Sequence, residues 1–193
     1  MVTAYLVEQI CEGLDYAHTL KDGNGKPLGI VHRDVTPKNV LISTSGHVKI
    51  IDFGIAKAAE RISVTRAGAL KGGPGYISPE QAQGKPLDHR TDVFAAGIIL
   101  YELMTHERLF RDGISATELR AVVEFNPAPK LRWKFQYPGM LRAAAGWALQ
   151  PDVEERCPSA AQLAIEMREY LHKRSEDPRQ ELVRYMRDHL SKR

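Results

Sequence analysis

The chain reads as a mainly α fold of the α+β kind, with one short β-hairpin near its beginning. Three observations lead there. Residues 2–20 carry Leu6, Ile10, Leu14 and Ala17 on one face, the mark of an amphipathic helix. Residues 91–104 are apolar nearly all round, as expected of a helix enclosed by the core. Between them, Val40-Leu41-Ile42-Ser43 and Val48-Lys49-Ile50-Ile51 are short apolar runs rich in β-branched residues, joined through the Ser45-Gly46 turn.

The other elements follow in order. Asp22-Gly23-Asn24-Gly25 marks a loop after the first helix. Residues 55–78 are polar, glycine-rich and poorly periodic, which suits a mobile segment. Ile114–Phe125 predicts a shorter helix, ended by Pro127-Ala128-Pro129, and Leu141–Leu149 predicts another. Ser159 with Gln162 predicts a capping box ahead of the helix carrying Leu163, Met167, Tyr170 and Leu171. Asp177-Pro178 opens a last helix with Leu182, Val183, Met186 and Leu190 on one face. No internal repeat or low-complexity tract is visible.

Composition bounds the function. A chain of 193 residues is normally one domain with room for a real core. Its 43% hydrophobic and 26% charged content is ordinary for a soluble globular protein. The net charge of +3 comes from the tail, where eight Lys/Arg face five Asp/Glu from Arg168 onward. That balance is too mild to argue for nucleic acid. Cys11 and Cys157 lack metal or disulfide spacing, so a reduced cytoplasm is the simplest setting. His18, His47, His89, His106, His172 and His189 lack metal spacing too and read as surface or core side chains. No apolar run approaches the ~20 residues of a membrane span. Glu8 and Glu12 interrupt the N-terminal apolar residues, so no signal peptide is expected.

The chemistry is concentrated in His32-Arg33-Asp34-Val35-Thr36-Pro37-Lys38-Asn39 and in Asp52-Phe53-Gly54. The hairpin between them would bring Asn39 and Asp52 side by side at its open end. Both offer hard oxygens suited to Mg2+, which keeps phosphates and waters as further ligands. Asp34 would accept or orient the proton of an attacking hydroxyl. Lys38 could meet a transferring phosphate as a point charge. A phosphoryl group in flight spreads charge over three oxygens, so positioning and neutralisation are what a catalyst must supply. Each such contact in a dry site is typically worth ~2–4 kcal/mol of barrier.

The patterns HRD-x-x-x-x-N and DFG resemble the catalytic loop and metal-binding triplet of eukaryotic-like, Hanks-type protein kinases. Gly75-Tyr76-Ile77-Ser78-Pro79-Glu80 is similar to the end of their activation segment, with Ser78 where Ala is usual. Asp92-Val93-Phe94-Ala95-Ala96-Gly97 resembles the start of the buried central helix of their large lobe. Residues 29–39 look bacterial in wording and resemble the Hanks-type kinases of myxobacteria and their relatives. The resemblance covers roughly residues 1–173, leaving 174–193 as a helical extension. Aminoglycoside kinases share an H-x-D-x-x-x-x-N pattern but lack the Glu80 motif and the long activation segment.

The resemblance implies a serine/threonine kinase, because Lys38 follows Asp34 by four residues and tyrosine-specific members usually carry Ala and Arg in this loop. It implies ATP and Mg2+, with Lys38, Asn39 and Asp52 around them, and a protein substrate bearing a Ser or Thr hydroxyl. His32 would pack on Phe53 beside Gly54. Arg33 would receive a phosphorylated activation loop, with Thr65 or Ser63 as the phosphosite. Glu80 would pair with Arg156. Asp92 would hold the catalytic-loop backbone, a helix N-cap being its rival role.

Two departures stand out. Gly73 occupies the place of a threonine that would bond the catalytic Asp and Lys. The chain also contains no glycine-rich phosphate loop and no V-A-I-K lysine, so the small β lobe is expected to be missing or separately encoded. Weak ATP binding, little activity and an exposed apolar lobe-facing surface follow as expectations. The alternative is a kinase-like module that docks partners without catalysis.

Overall fold

The computed structural model describes residues 1–53, 74–111, 115–132 and 136–190. Helix α1 (Val2–Thr19) buries Leu6, Ile10, Leu14 and Ala17, the stripe that its spacing marks. Strands β1 (Val40–Ile42) and β2 (Val48–Ile50) pair antiparallel, Val40 with Ile50 and Ile42 with Val48. They are the one sheet among the described residues. Then come α2 (Pro79–Ala82), α3 (Arg90–Thr105), α4 (Ala116–Val123), α5 (Pro127–Arg132), α6 (Gly139–Ala148), α7 (Ala160–His172) and α8 (Pro178–Leu190).

Helix α3 is the axis of the fold. Val93, Phe94, Ala96, Ile98 and Leu100 have no exposed surface, so this helix is apolar on all sides because all sides are covered. Each large side chain buried in this way contributes about 1.5–3 kcal/mol. α1 and α6 pack directly on it, and α7 lies across α1 and α6. Gly97 sits where α3 crosses α6. A Cβ there would come within 2.8 Å of Ala148 Cβ and 3.2 Å of Leu149 Cγ, so only a glycine lets the helices approach this closely.

Helix ends differ from expectation in two places. Pro127-Ala128-Pro129 does not merely stop the preceding helix; it opens α5, with Ala128 N donating to Asn126 Oδ1 at 3.0 Å. A proline at the first helical position loses no hydrogen bond, so the same residues serve as a start. Ser159 caps α7 by accepting from Gln162 N at 3.1 Å, but the reciprocal half of the predicted box is not formed. Complete capping boxes occur instead at Ser78/Gln81 and Ser115/Glu118. Ser78, where the family usually has Ala, thus starts α2.

Helix α8 is capped by Asp177, whose Oδ1 accepts from Arg179 N at 2.9 Å. It packs on α1 through Leu182 and Met186, against Tyr5 and Leu6. Beside the hairpin, Leu6, Ile10, Pro37, Val40, Ile42, Ile99 and Leu103 line an apolar groove of about 220 Å³. Leu41 and Ile42 next to it are 53% and 39% exposed. No helix among the described residues is long and apolar enough to cross a membrane.

Candidate active site

The loop between α1 and β1 is shaped by one buried carboxylate. Asp92, in the first turn of α3, is fully buried. Its Oδ2 accepts from His32 N and its Oδ1 from Arg33 N, both at 2.8 Å. His18 Nε2, from the end of α1, donates to Oδ2 at 2.8 Å. Asp92 is not the N-cap of α3; His89 holds that position without a side-chain capping bond, its Nε2 meeting the Pro158 carbonyl at 3.0 Å. From the other side, Gln81 Nε2 donates to the Arg33 carbonyl at 2.9 Å.

This clamp explains an unusual backbone. Arg33 has φ of 65° and Asp52 has φ of 60°, both in the left-handed region that non-glycine residues seldom enter. Such a conformation costs on the order of 1–3 kcal/mol and persists only when its surroundings over-determine it. At Arg33 the surroundings are Asp92 on the amide and Gln81 on the carbonyl.

His32 is buried, and its ring lies 4.6 Å from that of Phe53, centroid to centroid. Its Nε2 faces the Ile51 carbonyl at 2.9 Å, while Nδ1 accepts from Asp34 N at 3.3 Å. A carbonyl can only accept, so the Nε2–H tautomer satisfies both bonds and leaves neither nitrogen for proton transfer. His32 is therefore a link between the loop and the end of β2.

Asn39 ends a single 3-10 turn, Pro37–Asn39, and its Nδ2 donates to the Asp34 carbonyl at 2.7 Å. That bond commits the amide nitrogen inward and leaves the amide oxygen as the other end of the side chain. The Asn39 carbonyl accepts from Ile51 N at 2.9 Å, which continues the ladder to the residue before Asp52 at the hairpin mouth. An amide oxygen and an exposed carboxylate suit Mg2+, which takes hard oxygens and few protein ligands. Lys38 is exposed on the same turn, and Asp34 is half-buried. Gly54, Ser63, Thr65 and Gly73 lie outside the described residues.

Below the loop, Arg156 and Glu80 form a second buried pair. Arg156 Nη1 and Nη2 donate to the two Glu80 oxygens at 2.7 and 2.9 Å. Its remaining hydrogens go to the carbonyls of Gln150, Pro151 and Arg90, so all five guanidinium donors are used. Burial pushes the Glu80 carboxyl up, but the bonds from Arg156 and Thr91 outweigh it and hold the group below the usual glutamate range. Thr91 hydroxyl donates to Glu80 Oε1 at 2.6 Å and also meets Ser78 Oγ at 3.1 Å. The pair thus ties the end of the activation segment to α3.

His18, Gln81 and Thr91 are not distinguished by their sequence surroundings. His18 and Asp92 are 74 residues apart, and only the crossing of α1 with α3 brings them together.

The fold and this loop arrangement are those of a protein kinase large lobe. The family description "Protein kinase domain" matches residues 2–171, and the chain belongs to that family. Among curated proteins it is similar to the tyrosine-protein kinase MasK of Myxococcus xanthus, 39% identical over 159 residues. That alignment covers 82% of this chain and 25% of the relative. It is 36% identical over 160 residues to the serine/threonine-protein kinase PknA of Corynebacterium glutamicum, covering 83% and 32%. It is 35% identical over 163 residues to PknB of Mycobacterium leprae, also named a serine/threonine-protein kinase, covering 84% and 25%. The chain thus spans a quarter to a third of the length of these relatives.

Proposed function

We propose that this chain carries the catalytic and metal-holding half of a serine/threonine protein kinase active site. One observation carries the reading: the loop pinned by Asp92 and by the Asn39 bond to the Asp34 carbonyl holds both Asp34 and Asn39, and the hairpin ladder bonds Asn39 to Ile51, the residue before Asp52. Asp34 would orient the substrate hydroxyl and take its proton. Asn39 and Asp52 would hold Mg2+, which supplies neutralising charge to phosphate oxygens when bound. Lys38, exposed beside them, would face the phosphoryl group arriving from ATP. Arg33 would receive a phosphate on the activation segment, with Thr65 as its first candidate source.

Lys38 favours Ser and Thr acceptors, and the names of PknA and PknB agree with it. The name of MasK supports a second reading, tyrosine acceptors, at similar identity. A cytoplasmic setting belongs to the same proposal, since Cys11 and Cys157 are buried free thiols. A nucleotide-binding small lobe, joined or separately encoded, belongs to the same proposal.

Transfer of label from the γ-phosphate of ATP to a generic protein substrate, followed by phosphoamino-acid analysis, tests the reaction and the acceptor. Asp34→Asn is expected to reduce transfer by roughly 10²–10⁴-fold with unfolding unchanged. Undiminished transfer would remove Asp34 from its role, and phosphotyrosine as the product would overturn the Ser/Thr assignment. For the isolated 193-residue polypeptide, Mg-ATP binding weaker than micromolar is expected in calorimetry, because it contains no glycine-rich phosphate loop or V-A-I-K lysine. Micromolar affinity would sink that expectation.

A further inference from the structure

At the closed end of the hairpin, opposite Asn39 and Asp52, a cleft of about 460 Å³ opens between the turn and α8. Arg179, Arg184 and Arg187 line it together with Ser45, and Asp177 is the one carboxylate among the lining residues. Arg184 and Arg187 are three apart, so they share one face of α8. Arg179 reaches over the turn, donating from Nε to the Ser45 carbonyl at 2.9 Å and meeting His47 Nε2 from Nη2 at 2.7 Å. The Asp177 carboxylate is directed to the helix end, where Oδ1 accepts from Arg179 N and Gln180 N at 2.9 and 3.4 Å.

The turn itself is held in place. Gly46 has φ of 80°, and a Cβ there would fall 2.9 Å from Arg179 Cγ and from Val183 Cγ2. Tyr5 hydroxyl donates to the Gly46 carbonyl at 3.0 Å. The backbone of Ser45 and Gly46 is therefore held against α8 and α1, while Ser45 is exposed and shares a 3.0 Å bond with Ser43 Oγ. An exposed serine on a held turn thus shares the lining of one cleft with Arg179, Arg184 and Arg187.

We propose that Ser45 is a phosphorylation site and that the arginine cleft is the receptor for its phosphate. A protein serine kinase moves the terminal phosphoryl group of ATP to Ser45 Oγ. The new O–P bond forms as the bond to ADP breaks, ADP departs, and the hydroxyl proton passes to the enzyme's base. The phosphoserine brings a charge of about −1.5 to −2 and three strong acceptor oxygens. Guanidinium forks match such oxygens in pairs. The phosphate would staple α8 to the turn of the hairpin whose other end bears Asn39 and Asp52. The proposal does not require this chain to be the enzyme, so it stands apart from the catalytic reading.

The test is site-specific incorporation of phosphoserine at position 45 of the full chain, which needs no kinase. The expected result is a rise in Tm of about 3–6 °C. Amide exchange in α8 should slow at the same time. Both effects should vanish in the Arg184→Gln, Arg187→Gln double variant, whose unmodified form reports whether those changes alone disturb folding. In the unmodified chain, millimolar inorganic phosphate followed by 31P NMR should bind the cleft, and phosphoserine at 45 should displace it. An unchanged or lowered Tm, or a rise that survives loss of both arginines, overturns the proposal. So does inorganic phosphate that still binds with phosphoserine in place, since the cleft would then serve an anion from another molecule.

Discussion

Arg156→Leu is expected to destabilise the folded chain by about 3–5 kcal/mol, because it leaves a buried carboxylate without its partner. The Arg156 side chain is fully enclosed and that of Glu80 is 7% exposed, so solvent screening gives little relief. The loss extends beyond the ion pair. Three backbone carbonyls, of Gln150, Pro151 and Arg90, lose their donor in the same substitution. The guanidinium also lies 4.9 Å from the centre of the Phe94 ring, so its packing on the core goes as well. Urea unfolding measures the effect, and a change below about 1 kcal/mol would mean that water or relaxation satisfies Glu80. Replacing Glu80 and Arg156 together by methionine should cost less than Arg156→Leu alone, since no orphan charge remains.

The same pair sets an acid limit. The folded-state pKa of Glu80 lies below its ordinary value of 4.5. A depressed carboxyl contributes stability that is present above the unfolded-state value and lost as pH falls through the folded one. Wild-type stability should therefore decline as pH drops from about 4.5. Without Arg156, burial is opposed only by the Thr91 hydroxyl and a backbone bond, so the balance at Glu80 moves toward its protonated form. The gap between wild type and Arg156→Leu should then narrow on acidification, and a constant gap would show that the pair carries none of the pH dependence.

Asp92→Ala is the second large effect, expected at about 3–9 kcal/mol if two backbone amides and His18 each lose a buried acceptor at about 1–3 kcal/mol apiece. The amides of His32 and Arg33 and the Nε2 of His18 all end on this one side chain at 2.8 Å. Arg33 would also lose the bond that helps hold its left-handed backbone. The local consequence is as informative as the global one. Amide exchange at His32 and Arg33 should rise by more than overall stability predicts, and the Asn39 bond to the Asp34 carbonyl should loosen with the loop. If exchange at those amides follows only global unfolding, the loop is held by something other than Asp92.

Much of the fold is legible residue by residue. The stripe Leu6, Ile10, Leu14, Ala17 and the all-apolar 91–104 segment describe α1 and α3, because burial on one face or on every face leaves a periodic trace. The spacing from Asn39 to Asp52 contains its own hairpin, so the meeting of Asn39 with Ile51, one residue before Asp52, is a matter of local register. Where two meanings shared one signal, the sequence alone chose badly. Pro127 follows the end of α4 and also opens α5, where Asn126 Oδ1 accepts from Ala128 N. Ser159 and Gln162 have the right spacing for a reciprocal cap, and half of it forms.

The sequence by itself determined the local elements, and it carries the chemistry proposed above: which residues would hold magnesium or accept a proton. The tertiary structure decided which buried polar groups meet. His18 with Asp92, Gln81 with Arg33, Thr91 and Arg156 with Glu80, and Arg179 with the hairpin turn join segments 11 to 134 residues apart. Periodicity reports only whether a side chain faces inward. The partner of a buried donor or acceptor depends on how helices cross, and a misplaced crossing would leave those groups unsatisfied at 1–3 kcal/mol each. That penalty makes the polar contacts specific, and it is also why no local stretch of sequence announces them.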